Sequence, residues 1–272
     1  MQDFRYKISL GQNFLFDADL LNRLIDQAGL GQQDTVLEVG AGRGDLTEVL
    51  AERCGRVTAI EIDSRLEAVL NDRFAHRGNV RIVMGDAMEL DLAELMAGQG
   101  GFHVVANLPY YLTTPILTLL LRADLPLQGI HVMVQKEAAL RVLAQPGTPE
   151  YGPLAILAAY RGEPRATINV PARMFTPPPK VDSVFLVIPL HSQAPVQVDD
   201  KALLFRVVSA AFAMRRKTLA NNLMGAFSLT RQQAMACIQD AGLPEQVRGE
   251  RLNLEEFARL TQSLGRLHKN PN

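Results

Sequence analysis

The sequence predicts an α/β fold: a mostly parallel sheet with flanking helices, followed by a small all-helical C-terminal domain. Three observations carry this. From Thr35 to Ala144, short apolar runs alternate with helix-period stretches at the spacing of βαβ units. A glycine-rich turn, Gly40-Ala41-Gly42-Arg43-Gly44-Asp45, joins the first of those strands to its helix. After an aperiodic linker of Ser, Gln, Ala and Pro, His191 to Val198, every remaining pattern is helical. The expected division is 1–190, a linker at 191–198, and 199–272.

Each element has a local reason. Asp17 is placed to cap a helix over Ala18–Ala28, with Leu20, Leu21, Leu24 and Ile25 at helical spacing and Gly29 as the stop. Thr35–Val39, Arg56–Ile62, Val80–Met84, His103–Ala106 and Ile130–Val134 read as strands. Helices fall between or after them: through Leu46–Ala51, Leu66–Phe74, Thr114–Leu121 (Pro115 sits in a tolerated first turn) and Glu137–Ala144. A further apolar helix ends at Tyr160, and Ala166–Val170 and Val184–Ile188 read as two more strands around the stiff, extended Thr176-Pro177-Pro178-Pro179-Lys180. Leu203, Leu204, Val207, Val208, Ala211 and Phe212 make one apolar helical stripe; Arg231–Ala241 and Leu254–Leu264 add two helices.

Composition narrows the function. The chain has 272 residues, 47% hydrophobic and 21% charged, and its longest apolar run, Ile116–Leu121, is too short to span a bilayer. Met1–Leu10 lacks the apolar core of a signal peptide. Two distant cysteines, Cys54 and Cys237, and five scattered histidines fit a reduced, cytoplasmic protein without a metal site. The net charge of −1 conceals an asymmetry. Residues 1–130 carry 11 basic and 18 acidic groups (−7), and residues 131–272 carry 17 and 11 (+6). Lys201 to Arg231 holds six basic residues and no acid, which points to a half that faces nucleic acid.

The candidate site lies at strand ends, where open α/β sheets bind ligands. The glycines depart from the dinucleotide fingerprint: Asp45 occupies the third glycine position, a poor neighbour for a pyrophosphate. Glu61 closes the next strand, 21 residues after Gly40, where a carboxylate can accept from both hydroxyls of a ribose. Asp86 closes the third, placed to accept from an adenine amino group while the Ala87 amide donates to the ring. Adenosine without phosphates, beside carboxylates that favour a cation, suggests S-adenosylmethionine. The fourth strand runs into Asn107-Leu108-Pro109-Tyr110. An amide oxygen, a backbone carbonyl oriented by a stiff Pro and a flat ring suit a base with an exocyclic amine. The plain alternative for each acid alone is a surface carboxylate, and for the tetrapeptide a turn with a half-buried Tyr.

With these residues in hand, the sequence resembles the ribosomal RNA adenine N6,N6-dimethyltransferases that act on small-subunit RNA. The likeness runs through Leu10-Gly11-Gln12-Asn13-Phe14-Leu15, Leu37-Glu38-Val39-Gly40-Ala41-Gly42, Glu61-Ile62-Asp63, Gly85-Asp86-Ala87 and Asn107-Leu108-Pro109-Tyr110. It continues through Gln135-Lys136-Glu137-Ala138, Tyr151-Gly152, Phe175-Thr176-Pro177-Pro178-Pro179-Lys180-Val181-Asp182-Ser183 and Arg215-Arg216-Lys217-Thr218-Leu219. The resemblance implies a class I S-adenosylmethionine-dependent methyltransferase fold. It implies contacts to S-adenosylmethionine from Asn13, Leu15, Gly40, Glu61, Asp86 and Asn107, to which the reading of the strand ends adds Gly42 and Ala87. It implies that Phe175 stacks on the target base; the chemistry of the tetrapeptide assigns catalysis to Asn107, Leu108 and Tyr110, and RNA contacts are expected from Tyr110, Phe175, Arg215, Arg216 and Lys217. The implied partner is 16S rRNA in the 30S subunit or its precursor, met by a monomer with no membrane and no metal. Ala41 stands where the family often has Pro, Met214 where it often has Gln, and the N-terminal arm holds only Arg5 and Lys7 as basic residues. Two alternatives stay open: a macrolide-resistance type enzyme acting on 23S rRNA, and a non-catalytic ribosome-assembly factor on the same fold. An NAD oxidoreductase is disfavoured by Asp45.

Overall fold

The computed structural model describes residues 12–269. Leu10, Gly11 and the basic Arg5 and Lys7 of the N-terminal arm lie outside that range. The chain forms two units, Met1–Ala139 with Gly162–Leu190, and Leu140–Arg161 with His191–Asn272.

The first unit is built on β1 (Phe14–Leu15), α1 (Ala18–Ala28), β2 (Thr35–Val39), α2 (Asp45–Arg53), β3 (Arg56–Glu61), α3 (Glu67–Phe74), β4 (Val80–Met84), α4 (Leu92–Leu95), β5 (Phe102–Asn107), α5 (Thr113–Arg122) and β6 (Leu127–Gln135). Next comes α6 (Lys136–Leu143), on which the division between the units falls, and then α7 (Pro153–Arg161) of the second unit. The chain returns to the first unit with β7 (Arg165–Val170), β8 (Phe175–Thr176) and β9 (Ser183–Pro189). Seven strands make one sheet in the order β4-β3-β2-β5-β6-β9-β7. The first five are parallel, and β9 and β7 add antiparallel at one edge. β1 and β8 pair separately, Leu15 opposite Phe175.

Strand and helix ends follow local chemistry. Asp17 accepts from Leu20 N at 2.9 Å, and Gly29 closes α1 at φ 70°. The buried stripe Leu20, Leu21, Leu24 and Ile25 shares a core with Leu50, Leu66, Leu70 and Phe74 from the following helices and with Val36, Val57, Ala59 and Val105 from the sheet. Each such aliphatic side chain contributes about 1.5–3 kcal/mol on burial.

The second unit holds α7, α8 (Lys201–Ala211), α9 (Leu219–Phe227), α10 (Arg231–Asp240) and α11 (Leu254–Lys269), with α7 packed against α8 and α11. The reason Leu140–Arg161 belongs here is aromatic. Tyr160 meets Phe205 edge-on at 5.7 Å, Tyr151 meets Phe212 at 5.9 Å, and the Tyr151 hydroxyl donates to Leu252 O at 2.7 Å. A division by chain order at residue 190 places this helix in the first unit; its contacts place it in the second. α9 and α4 are additions to the expected elements. His191–Val198 carries no helix or strand, as its composition suggests.

Candidate active site

β2 and β5 are neighbours in the sheet, yet their helical connections lead to opposite sides, β2 toward β3 and β5 toward β6. Such a switch point opens a crevice beyond the carboxyl ends of the strands. Here it is lined by Gly40 and Gly42 after β2, Glu61 and Ile62 after β3, Asn107, Leu108 and Pro109 after β5, and Gln12–Leu15 across the top. The crevice is concave and bounded by backbone from three strand ends.

The glycine turn is shaped by its neighbours. Gly40 and Ala41 both donate to Ile60 O at 2.9 Å, which tucks the turn against β3. Gly42 has φ 59°, and a Cβ there would lie 2.8 Å from the Phe14 ring, so only glycine lets that ring form the wall. Glu61 is 5% exposed. Its Oε2 accepts from Gly42 N at 2.7 Å and its Oε1 from Asp63 N at 2.8 Å. Burial pushes this carboxyl above its ordinary value, and the backbone donors pull the other way. The Ile62 amide bears on the same carboxylate, so three backbone donors fix its orientation, short of the roughly four acceptor sites a carboxylate has.

Asp63, two residues on, is held at about 2, first by the Arg65 guanidinium, whose Nε donates at 2.8 Å. Gln12 Nε2 also donates to Asp63 at 3.0 Å, which fastens the segment over the cleft to the end of β3. Glu38, just before the glycine turn, is fully buried and absent from the cleft lining. It accepts from the Thr47 hydroxyl at 2.6 Å, and burial pushes it to about 8, which makes it a neutral acid at neutral pH.

Asn107 ends β5 and donates from Nδ2 to Asn13 O at 2.8 Å. That bond fixes which way the amide faces and leaves Oδ1 as its remaining polar atom. Leu108 is buried and its N–H donates to Met133 O at 3.3 Å. The Tyr110 hydroxyl lies 3.0 Å from Ser183 Oγ, and burial raises its pKa. Leu15 is buried in the cleft wall.

Other expected residues stand elsewhere. Asp86 and Ala87 do not line the cleft; Asp86 is turned to its own backbone, accepting from Met88 N at 2.8 Å. They remain next to it, since Gly85 N donates to Glu61 O at 2.8 Å. Phe175 differs from expectation: it is 2% exposed, opposite Leu15 in the β1–β8 pair and part of the core, so its ring offers no face for stacking in this conformation. Arg215, Arg216 and Lys217 are exposed in the second unit on the turn between α8 and α9, with Arg215 donating to Pro149 O at 2.9 Å. Asn222 braces that turn through Nδ2 bonds to Ala211 O (2.8 Å) and Met214 O (3.3 Å). Sequence reasoning left Gln12, Phe14, Asp63 and Ser183 without roles; the Gln12-Asn13-Phe14 run beside a strand-end acid was the available signal.

A family model described as ribosomal RNA adenine dimethylase matches residues 3–264. The ribosomal RNA small subunit methyltransferase A of Shouchella clausii is 44% identical over 270 residues, covering 96% of this chain and 90% of that one. The protein of that name from Bacillus licheniformis is 43% identical over 268 residues, covering 96% and 92%. Among solved structures, a dimethyladenosine transferase from Plasmodium falciparum shares the fold at TM-score 0.78, with 23% identity and coverage of 94% and 98%. A 23S rRNA methyltransferase, ErmE, aligns at TM-score 0.68, with 25% identity and coverage of 93% and 100%. Matched along nearly its whole length, the chain belongs to the ribosomal RNA adenine dimethylase family.

Proposed function

We infer that this chain transfers methyl groups from S-adenosylmethionine to N6 of two adjacent adenines in a 3′-terminal hairpin of 16S rRNA within the 30S particle, giving N6,N6-dimethyladenosine. The observation that carries this reading is the Asn107 amide: it ends β5 at the rim of the strand-end cleft, with its nitrogen committed to Asn13 O.

The cleft fits the donor. The Glu61 carboxylate, set by backbone donors, suits a ribose diol, the glycine turn admits a ligand close to the backbone, and the carboxylates of Glu61 and Asp45 in the lining suit a sulfonium. S-adenosylmethionine supplies, when bound, an electrophilic methyl carbon. The protein then has to make the adenine amine a nucleophile. Its N6 lone pair is delocalised into the ring. Asn107 Oδ1 and the Leu108 backbone carbonyl are the acceptors assigned to the two N–H bonds, drawing the nitrogen toward a tetrahedral geometry. Fixing the amine against the methyl contributes the proximity term. No strong base is needed, because the methylated ammonium is acidic and releases its proton to water. After one transfer a single N–H remains, and one acceptor loses its partner.

The base must leave its stack to reach this edge. Tyr110, anchored through Ser183, is the aromatic assigned to flank it, a contact worth about 1–3 kcal/mol. Phe175 joins only if its segment moves. Arg215, Arg216 and Lys217 are assigned to RNA phosphates, and the protein acts as a cytoplasmic monomer on the 30S subunit or its precursor.

The test is incubation with labelled S-adenosylmethionine and undermethylated 30S particles, followed by nucleoside analysis. Dimethyladenosine in 16S rRNA is the expected product. Label confined to 23S rRNA, or none at all, would overturn the assignment.

A further inference from the structure

Tyr110 and Tyr111 follow Pro109 in one tight helical turn, closed by Leu112 N–H on Pro109 O at 2.9 Å, that leads directly into α5. Such a turn holds three residues, so successive side chains leave it about 120° apart. The two rings therefore cannot serve one face of one ligand. Tyr110 is half-buried and tethered through Ser183. Tyr111 is absent from the cleft lining and 56% exposed, the most exposed large hydrophobic side chain among the described residues. No hydrogen bond or ring contact to its side chain is found among those residues. Lys136 N donates to Asp182 O at 3.2 Å, so exposed Lys136 and Lys180 stand on the two segments that meet beside Ser183. Of the exposed acids there, Glu137 and Asp182, the second turns its carboxylate to Ala172 N at 2.9 Å.

We propose that Tyr111 is a stacking platform for the base next to the target adenine, held outside the cleft while the target is inside it. The proposal rests on the reading of this chain as acting on two adjacent adenines. A single exposed aromatic is ordinary surface. What sets Tyr111 apart is its place, one residue beyond the ring assigned to the target and turned away from it on a rigid turn. Taking one base out of a stack leaves its neighbour with one face bare, which is part of the cost of extrusion. An aromatic side chain beside the cleft returns that face to a stacked state, and it does so for any base because each has a π-face. Lys136 and Lys180 supply positive charge for the phosphates of the same strand, which favours a nucleic acid over an apolar protein segment as the occupant. Tyr111 is thus a positioning residue: it acts on the target through the neighbouring nucleotide.

The test is steady-state methyl transfer by the full-length protein to undermethylated 30S particles, with the donor site checked by calorimetric titration of S-adenosylhomocysteine. Tyr111→Ala is expected to lower kcat/KM roughly tenfold, the scale of one lost stacking contact, mainly through KM, and to leave S-adenosylhomocysteine affinity within about twofold. Tyr111→Phe should restore kcat/KM to within about twofold of wild type, because the ring and not the hydroxyl is used. On particles whose adjacent adenine is replaced by uridine, a weaker stacker, Tyr111→Ala should cost clearly less than on adenine particles, read at the remaining adenine. An unchanged kcat/KM in Tyr111→Ala overturns the proposal, as does a Phe variant as slow as the Ala variant. Equal losses on both particles also overturn it, by placing the contact elsewhere. Weakened S-adenosylhomocysteine binding in Tyr111→Ala does the same, by making the ring a support of the Asn107 turn. A wild-type protein that transfers no methyl to 30S particles removes the functional reading itself, and the proposal with it.

Discussion

Two regions of one sheet treat their polar side chains in opposite ways. At the carboxyl edge, Glu61 and Asn107 are each gripped by backbone groups on one side and left open on the other. Inside the sheet, polar groups close on one another. Glu38 is bonded to Thr47, and His103 Nδ1 lies 3.0 Å from His131 Nε2, with burial lowering the pKa of both rings. Glu38 Oε1 and His131 Nδ1 have no partner there, but both atoms are sealed from water. The difference teaches that a buried acid is not a site by being buried. A site needs a group whose orientation is fixed while part of its bonding capacity stays available to a ligand.

The largest effect is expected from Asn107→Ala. Methyl transfer should fall on the order of 10²–10³-fold, the scale of losing one oriented acceptor of this kind. Affinity for S-adenosylhomocysteine should drop only severalfold, because the cost there is the released Asn13 carbonyl. Transfer near the wild-type rate would dissolve the contrast. Next comes Glu61→Gln. A glutamine must turn its NH2 toward Gly42 N–H or Asp63 N–H, donor against donor. Donor uptake should be lost in calorimetry, and stability should fall by about 1–3 kcal/mol in denaturant titration.

Acid should separate the groups at this edge. Glu61 titrates above 4.5, so donor affinity should weaken as pH falls toward that range, while Asp63 stays ionised. Asp63 has its folded value depressed from 3.8 to about 2. Its contribution is therefore complete above pH 4 and lost as pH falls through 2. It amounts to about 2 kcal/mol, readable in thermal melts between pH 5 and pH 2. Loss of fold and of donor binding at one pH would show that the two acids act as a single unit. The smallest effect is expected for Glu38→Gln. The residue is already neutral at pH 7, so the amide should leave donor affinity within about twofold and stability within about 1 kcal/mol.

What the sequence revealed follows from the range of the forces involved. The βα alternation, the caps at Asp17 and Gly29 and the strand-end acids are local signals, and the chain keeps them. α9 escaped because Asn221, Asn222 and Gly225 interrupt its apolar period, and Asn222 turns out to be buried for a bonding reason that periodicity does not record. The place of α7 depended on Tyr151 and Tyr160 meeting rings and a carbonyl far along the chain. At the site, residue types on strand ends pointed to a nucleoside cleft. They did not reveal that Asn107 would be oriented by Asn13, nor that Phe175 would be packed into the core.

The β1–β8 pair has a bearing on how the protein is made. It joins Phe14 and Leu15 to Phe175 and Thr176, and β1 belongs to the segment that walls the cleft. A nascent chain cannot complete that wall until the later strand has left the exit tunnel of the ribosome, because pairing over so long a separation waits for its second half. On stalled chains of increasing length, donor uptake should begin only after Thr176 emerges. The enzyme would thus gain its cofactor late in its own synthesis.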